Sequence, residues 1–332
     1  MINMGKRLLS KLALTIWLSL LLSCTCFAYK LGCFVDGGRV FIWDSATQKE
    51  TLLPVATSDF AISPDGTKIC CVTKWPPDTA LGISHLRELV VYDVNTASRM
   101  RLDFPQNQCF GPKWSPDGKQ IAFSYLPADS PLNWTVAIYD FEKLSFVALR
   151  LAQTSLCSWV DSTSLLVSSV KPRAITRVSI TGKILSSYTV NDSITYITRD
   201  NRQLSVLGGW TETVYLDTAR DCYYLEGYEF RTNPCFHEPE CVPYLCALFP
   251  NSDTVSIISE SLWSVRDFVP NSDFSSFLVW SSSNKCVDGI YELRSGKATA
   301  LNMVISAESL PMLDHYRWTP PPQTKAVDGE KR

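Results

Sequence analysis

The sequence has few histidines, few charged residues and no excess of either charge. Among 332 residues there are 3 His and 5 Met, and charged residues make up 19%. Lys plus Arg number 31 and Asp plus Glu number 33, so the formal net charge is −2. Nucleic-acid-binding proteins usually carry a basic excess that contacts phosphates. We therefore expect no nucleic-acid partner.

Catalytic motifs are also scarce. The chain contains no G-x-S-x-G nucleophile elbow. His85, His237 and His315 stand in different kinds of segment, so we do not expect them to converge on one site. From these absences we predict no catalytic residue, no metal site and no cofactor.

Long apolar runs are missing after the first 28 residues. Lys6, Arg7 and Lys11 precede a run of apolar and hydroxyl residues, Leu12 to Leu22. This run is shorter than the roughly 20 residues that span a bilayer. A basic start followed by a short apolar stretch predicts a secretory signal peptide over residues 1–28, and a retained signal anchor is the alternative.

Two cleavage sites compete within this segment. One follows Ala28 and leaves ten cysteines, an even number. The other is Leu21-Leu22-Ser23-Cys24, which resembles a bacterial lipobox and would attach the chain to the envelope through a lipid on Cys24. We favour cleavage after Ala28 and expect a periplasmic or secreted protein, with a lipid-anchored protein as the alternative.

The rest of the chain is repetitive. Ile62-Ser63-Pro64-Asp65-Gly66 and Trp114-Ser115-Pro116-Asp117-Gly118 match closely, and each is followed by a β-rich run. Weaker copies begin at Trp159, Ile197, Phe268 and Trp318, and strands that end in Tyr-Asp, such as Tyr92-Asp93, recur after the turns. A unit of about 40–50 residues with four strands is typical of a propeller blade.

The repeated turn has a structural explanation. Pro presets φ, Asp caps the turn with its side chain, and Gly adopts a positive φ without a steric penalty. The large residue in front of the turn is placed to seal one blade against the next, and we predict this role for Trp114, Trp159 and Trp318.

These features predict an all-β chain with a single β-propeller over residues 29–319. We expect six four-stranded blades, with residues 228–263 as a Cys-rich insertion. The alternative makes that stretch a degenerate seventh blade. The strand around 315–318 should join Leu31–Val35 in one blade and close the ring, as propellers do to remove an open edge. Residues 320–332 are rich in Pro and charge and are predicted to be disordered.

With these motifs the chain resembles the six-bladed, WD-like propellers of the TolB type, whose blades carry W-S-P-D-G, then I-A-F-S and later I-Y-x-x-D. The match is good from Trp114 to Phe123 with Tyr139 and Asp140. It is also good from Ile62 to Val72 with Tyr92 and Asp93, and it is degenerate elsewhere. TolB carries a separate α/β domain before its propeller, and we expect none here because strands begin directly after the predicted signal. The resemblance implies an exported propeller without specifying its partner.

Cysteines cluster around the predicted insertion. Cys222, Cys235, Cys241 and Cys246 are disulfide candidates, because an exported protein meets an oxidising environment. Free buried thiols and a zinc site are the alternatives, and the spacing matches no standard zinc motif. The pairing cannot be deduced from the sequence.

The connections between second and third strands emerge on one face of a propeller and form its rim. They carry aromatic and basic residues that suit a binding surface, namely Trp75, His85, Trp134, Lys171, Arg173 and Trp210. These tryptophans could equally pack against their own blades. Our leading hypothesis is a non-enzymatic module that binds a protein partner at the propeller face in the periplasm or cell envelope. The alternatives are a propeller lyase or hydrolase acting on carbohydrate or small esters, and a sugar-binding module, each with its site in the central funnel.

Overall fold

The structure is a computed structural model that describes 15 stretches of the chain. They are residues 30–35, 39–44, 47, 49–57, 59–74, 87–105, 108–129, 133–190, 196–197, 203–206, 213–232, 239–271, 273–283, 288–301 and 317–318. The predicted signal peptide with Cys24, the predicted tail, Trp75, His85, Trp210 and Cys235 lie outside these residues.

Every regular element in the described residues is a β-strand, which confirms the all-β prediction, and the strands form antiparallel sheets. Five sheets are four-stranded blades, numbered here in chain order. Blade 1 contains β1 (Lys30–Val35), β2 (Arg39–Asp44), β3 (Lys49–Ala56) and β26 (Arg317–Trp318). Blade 2 contains β4 (Asp59–Ile62), β5 (Lys68–Lys74), β6 (Arg87–Asp93) and β7 (Arg99–Arg101). Blade 3 contains β8 (Gln108–Trp114), β9 (Gln120–Leu126), β10 (Thr135–Asp140) and β11 (Ser145–Ala148).

Two blades and one larger sheet follow. Blade 4 contains β12 (Thr154–Asp161), β13 (Ser164–Val170), β14 (Arg173–Ser179) and β15 (Ile184–Thr189). The six-stranded sheet contains β16 (Tyr196–Ile197), β17 (Gln203–Val206), β18 (Val214–Asp217), β19 (Cys222–Thr232), β20 (Pro239–Phe249) and β21 (Thr254–Ile257). Blade 5 contains β22 (Leu262–Pro270), β23 (Ser276–Ser283), β24 (Asp288–Arg294) and β25 (Lys297–Ala300).

The prediction of six four-stranded blades is wrong in its count, because one of the six sheets has six strands. In that sheet β17 and β18 lie end to end along β19. Val206 pairs with Gly227, and Val214 pairs with Leu225. Strand residues of 228–263, which the sequence suggested as an insertion or an extra blade, extend this same sheet through β19, β20 and β21 before β22 begins.

The termini join as predicted. In blade 1, Leu31 pairs with Trp318 and Gly32 pairs with Arg317, so the last described strand completes the first sheet. This pairing covers an edge of β1 that would otherwise be open.

The repeated turns adopt matching geometry. In both, the serine hydroxyl donates to the aspartate, at 2.6 Å for Ser63–Asp65 and 2.6 Å for Ser115–Asp117. Each glycine has a positive φ, 67° at Gly66 and 71° at Gly118, in the left-handed region where a Cβ would be strained. The turn chemistry predicted from the sequence is therefore confirmed.

Tryptophan side chains connect neighbouring blades. The Trp114 indole donates to the carbonyl of Ala61 in blade 2 (3.0 Å), and the Trp159 indole donates to the carbonyl of Lys113 in blade 3 (2.9 Å). Trp114 also stacks on Phe141 with ring centroids 5.2 Å apart. The blade-sealing role is confirmed for these two residues. The side chain of Trp318 lies outside the described part of the structure.

The disulfide prediction does not hold for the three candidates that the structure describes. Cys222, Cys241 and Cys246 form no disulfide with one another. Cys222 packs into the apolar cluster shared with blade 5, whereas Cys246 packs into the cluster shared with blade 4. Successive strand residues point to opposite faces, so the sheet itself separates these two thiols.

Candidate binding site on the third blade

Blade 3 has a cavity of about 690 Å³ at the end that carries the connection from β9 to β10. Its lining comes from β9, the connection from β9 to β10, the start of β10, β11, the connection from β11 to β12, and Pro105 before β8. The lining residues are Pro105, Tyr125, Pro127, Ala128, Asp129, Asn133, Thr135, Phe146, Ala148, Arg150, Leu151 and Ala152. A largely apolar pocket with a few polar groups is the usual form of a binding site.

Aromatic rings form the floor of the cavity. Tyr125 and Phe146 line it and meet edge to face, with ring centroids 5.2 Å apart. Phe104 stacks on Phe146 at 5.5 Å and contacts Phe123 at 5.2 Å. Phe104, Phe123 and Tyr125 are buried. This packed cluster gives the cavity a rigid apolar base, since aromatic pairs gain energy beyond their buried area.

The Tyr125 hydroxyl has a defined role in this floor. It donates to the carbonyl of Pro105 at 3.0 Å. Burial, and to a lesser degree the carboxylate of Asp129, raise the pKa of Tyr125. The hydroxyl therefore stays protonated at neutral pH and keeps the segment before β8 against the floor.

Two threonine hydroxyls fix the wall that follows β11. The Leu151 N–H donates to Thr135 Oγ1 at 2.9 Å, and Thr154 Oγ1 donates to the Leu151 carbonyl at 2.9 Å. Arg150 and Gln153, in the same connection, have φ values of 54° and 52°. Residues other than glycine rarely adopt a positive φ. Backbone strain of this kind is concentrated at functional sites. The wall is thus held in one strained shape before anything binds.

Asp129 and Arg150 are the two charged side chains of the lining, and both are exposed. Neither forms an ion pair with another residue in the described stretches. The two groups can therefore hydrogen-bond to polar or charged groups of a bound molecule, while the aromatic floor accepts an apolar group.

The structure places three of the six predicted rim residues. Trp134 directly precedes β10, between two cavity-lining residues, and packs edge to face on Phe110 with ring centroids 4.8 Å apart. Lys171 is exposed and Arg173 is half-buried, in the corresponding connection of blade 4. Trp134 is therefore partly a packing residue, and its connection borders the cavity.

Sequence reasoning missed most of the cavity. Tyr125 and Phe146 occupy ordinary strand positions, and Arg150 stands where a positive φ would suggest glycine. The available signals were Pro105 and Pro127, two prolines in the connections that line the cavity.

Two of the buried cysteines, Cys71 and Cys109, have thiols of low reactivity. Burial, with a further contribution from Asp59, raises the pKa of Cys71 to about 12, and burial also raises that of Cys109 to about 12. Thiols with such pKa values remain protonated and are poor nucleophiles and metal ligands. No group of three His, Cys, Asp or Glu side chains within the described residues could hold a metal ion.

No helix in the described part of the chain is both long and apolar enough to span a membrane.

Comparison with solved structures identifies the architecture. TolB from Acinetobacter baumannii matches with a TM-score of 0.56 and 12% sequence identity, over 88% of this chain and 66% of that protein. A putative TolB from Agrobacterium tumefaciens matches with a TM-score of 0.51 and 11% identity, over 82% of this chain and 88% of that one. This chain has a TolB-like propeller fold.

At these identities the likeness concerns the fold alone, and the chain spans just under two thirds of the Acinetobacter protein. No family model and no curated protein sequence matches this chain.

Proposed function

We propose that this chain is an exported, non-enzymatic β-propeller that binds a protein partner in the periplasm or cell envelope. The observation that supports it is the cavity of blade 3, which combines a packed aromatic floor with a wall fixed by Thr135 and Thr154. Preformed pockets that accept an apolar anchor are typical of the energetic centres of protein interfaces.

In this proposal the partner inserts an apolar side chain against Tyr125 and Phe146. Arg150 and Asp129 then bind polar groups on either side of that anchor and set its orientation. The other rim candidates, Trp75, His85, Lys171, Arg173 and Trp210, extend the contact beyond blade 3. Rim contacts of this kind contribute more to specificity than to affinity.

Site-specific photocrosslinking in the producing cell tests the binding site. A photoreactive residue at Asn133, which is exposed and lines the cavity, should crosslink one discrete protein. The substitution Ala152→Trp fills the cavity mouth and should abolish that product. Ala300→Trp adds the same side chain to an exposed position of blade 5 and should leave the product unchanged.

Two results would overturn the proposed site. One is a crosslinked product that survives Ala152→Trp at full yield. The other is a product obtained equally with the photoreactive residue at position 300, because that would indicate contact unrelated to the cavity.

Export is a second part of the proposal. We infer that the signal peptide over residues 1–28 is removed after Ala28, leaving the propeller over residues 29–319 and the tail over 320–332. Intact-mass measurement of the fractionated protein should give the chain that begins at Tyr29. A mass that includes a lipid on Cys24 would contradict cleavage after Ala28 and indicate a lipid-anchored protein. A full-length mass in the cytoplasm would contradict export.

A further inference from the structure

Two residues of β11 line the cavity of blade 3 and also stand on the outer edge of that blade. β11 is the last strand of its sheet and pairs with β10 on one side. In the described residues no strand lies on its other side. Phe146 and Ala148 belong to this strand, and both line the cavity. A molecule bound in the cavity therefore lies beside a sheet edge.

The register shows which backbone groups of β11 face this edge. Ala148 pairs with Ala137, and in the adjoining pair the Leu149 N–H donates to the Val136 carbonyl at 2.8 Å. In an antiparallel ladder, hydrogen-bonded pairs alternate with pairs that are not hydrogen-bonded. Phe146 and Ala148 therefore direct their N–H and C=O groups away from β10, toward the open edge. The register of β10 with β11 has no bulge, so the alternation is regular.

A strand added at this edge would carry its side chains to the same cavity. Directly opposite residues of an antiparallel pair have their side chains on one face, with Cβ atoms about 4.5–5.5 Å apart. The residues opposite Phe146 and Ala148 would thus lie on the cavity side, and the residue between them would lie opposite Val147 on the other face. A cavity of about 690 Å³ has room for more than one side chain, since pockets of about 300–1,000 Å³ hold drug-sized molecules.

We infer that the partner binds as an extended segment that pairs antiparallel with β11 and inserts two apolar side chains, two residues apart, into the cavity. This inference rests on the proposed function and adds the way in which the partner binds. Backbone hydrogen bonds to Phe146 and Ala148 supply affinity. The cavity supplies specificity through alternate side chains, as in other complexes that add a strand to a sheet edge.

The edge and the cavity depend on each other for this binding. β11 has only four residues, and short edge strands discourage pairing. A segment without apolar anchors would form two hydrogen-bonded residue pairs and little else. Anchors in the cavity add the burial that such a short ladder lacks. The pairing is therefore selective for segments that fill the cavity.

The charges beside β11 indicate a flanking residue of the partner. Arg150 lies two residues after Ala148, is exposed and forms no ion pair with another described residue. At the opposite end of the strand, Lys143 already pairs with Asp140. An antiparallel segment meets Arg150 with the residues that precede its first anchor. We expect an acidic residue there.

Selection from a linear random-peptide library displayed on phage provides the probe. The library is panned against the full chain, and peptides bound by the wild type but not by Ala152→Trp are synthesised. They should carry two apolar residues separated by one residue and preceded by Asp or Glu. A selection without such cavity-dependent peptides would overturn the inference. Proline-rich peptides would also overturn it, because they lack the N–H groups that strand pairing requires.

N-methylation of each peptide residue in turn tests the pairing itself. At the two anchor residues, whose N–H groups face β11, the methyl group should weaken binding about tenfold, the equivalent of about 1.4 kcal/mol. At the residue between them, whose N–H points away from β11, it should leave the affinity nearly unchanged. Equal effects at all three positions would overturn the inference.

Hydrogen exchange of the full chain with and without the peptide gives an independent readout. The amides of Phe146 and Ala148 should exchange rapidly in the free chain and become protected in the complex. The amides of Val147 and Leu149, which face β10, should be protected in both. Protection of Phe146 and Ala148 without peptide at high protein concentration would indicate that a second copy occupies the edge, and would overturn the inference.

The proposed function and this inference fail in different ways. If the crosslink from Asn133 disappears in Ala152→Trp but the N-methyl series shows no alternation, the cavity remains the binding site and the strand pairing is wrong. If the crosslink survives Ala152→Trp at full yield, the cavity is not the site and both fail.

Discussion

Small polar side chains determine the shape of the tightest turns. Ser115 donates to Asp117 and accepts from the Gln120 N–H at 2.9 Å, and Ser63 does the same with Asp65 and Lys68. Ser115 is fully buried. Its buried hydroxyl links the exposed Asp117 carboxylate to the backbone N–H of the half-buried Gln120.

Replacing Ser115 with alanine should lower the free energy of unfolding by about 1–2 kcal/mol, because it removes two hydrogen bonds, one to Asp117 and one from the Gln120 N–H. Asp117 keeps its hydrogen bond from the Lys119 N–H. Urea denaturation measures this loss. Ser186→Ala, on the exposed edge strand, should change stability by less than about 0.5 kcal/mol. Equal effects of the two substitutions would contradict the role given to the turn.

Carboxylates in these turns make stability dependent on pH. Burial raises the pKa of Asp140, but hydrogen bonds from Lys143 and Gln120, with the Lys143 charge, outweigh it and lower the pKa to about 2. The pKa values of Asp65 and Asp161 are also lowered, because the effect of their hydrogen bonds outweighs that of burial. A carboxylate with a depressed folded-state pKa stabilises the fold above its unfolded pKa of about 3.9.

This stabilisation should disappear as the pH falls from about 4 to about 2, because the folded state then loses its advantage in keeping the carboxylate charged. Urea denaturation across that range should show a smaller decline for Asp140→Asn than for the wild type. Asp103→Asn, at an exposed position without a hydrogen bond to another described residue, should follow the wild type. An unchanged pH profile for Asp140→Asn would contradict this account.

At the scale of elements, indole groups connect one blade to the next. Trp114→Phe keeps an aromatic ring on Phe141 but removes the donor to Ala61. It should lower the free energy of unfolding by about 1–3 kcal/mol, since the substitution removes this hydrogen bond between blades and part of a buried indole ring. Thermal unfolding measures the change. Trp134→Phe, at the half-buried rim, should lower the free energy of unfolding by less. A larger loss for Trp134→Phe than for Trp114→Phe would contradict the sealing role.

The six-stranded sheet depends on a close approach of β19 and β20, between Gly227 and Cys246. A Cβ at Gly227 would lie 2.6 Å from Cys246 Sγ, so the two strands can meet there only because residue 227 has no side chain. Gly227→Ala should destabilise the sheet by about 1–3 kcal/mol through overpacking. Adding Cys246→Ala should recover part of this loss in a double-mutant cycle. Strict additivity of the two substitutions would contradict the steric explanation.

The elements that could be predicted are those specified by short-range chemistry. The Ser-Pro-Asp-Gly turns and the seal at Trp114 depend on neighbouring residues, so their sequence is sufficient. β19 and β20 were missed because Gly227 and Pro243 usually weaken strands. The pairing of β17 with β19 also depends on tertiary contacts across the intervening β18, which no local pattern encodes.

At the scale of the whole molecule, one described residue that the sequence singled out, Trp134, lies beside the cavity of blade 3 that we propose as the binding site. Trp134 borders the cavity, but the cavity itself forms where the connection from β11 to β12 is hydrogen-bonded to Thr135 at the start of β10. Its strained residue, Arg150, has no distinctive sequence pattern.

Affinity measurement with the crosslinked partner tests the central claim most directly. The partner captured through Asn133 would be purified and titrated against wild type, Ala152→Trp and Ala300→Trp by calorimetry. We predict that Ala152→Trp weakens binding by at least about 30-fold, the equivalent of roughly 2 kcal/mol at an interface centre, and that Ala300→Trp binds like the wild type. Equal affinities for all three proteins would contradict the cavity of blade 3 as the binding site.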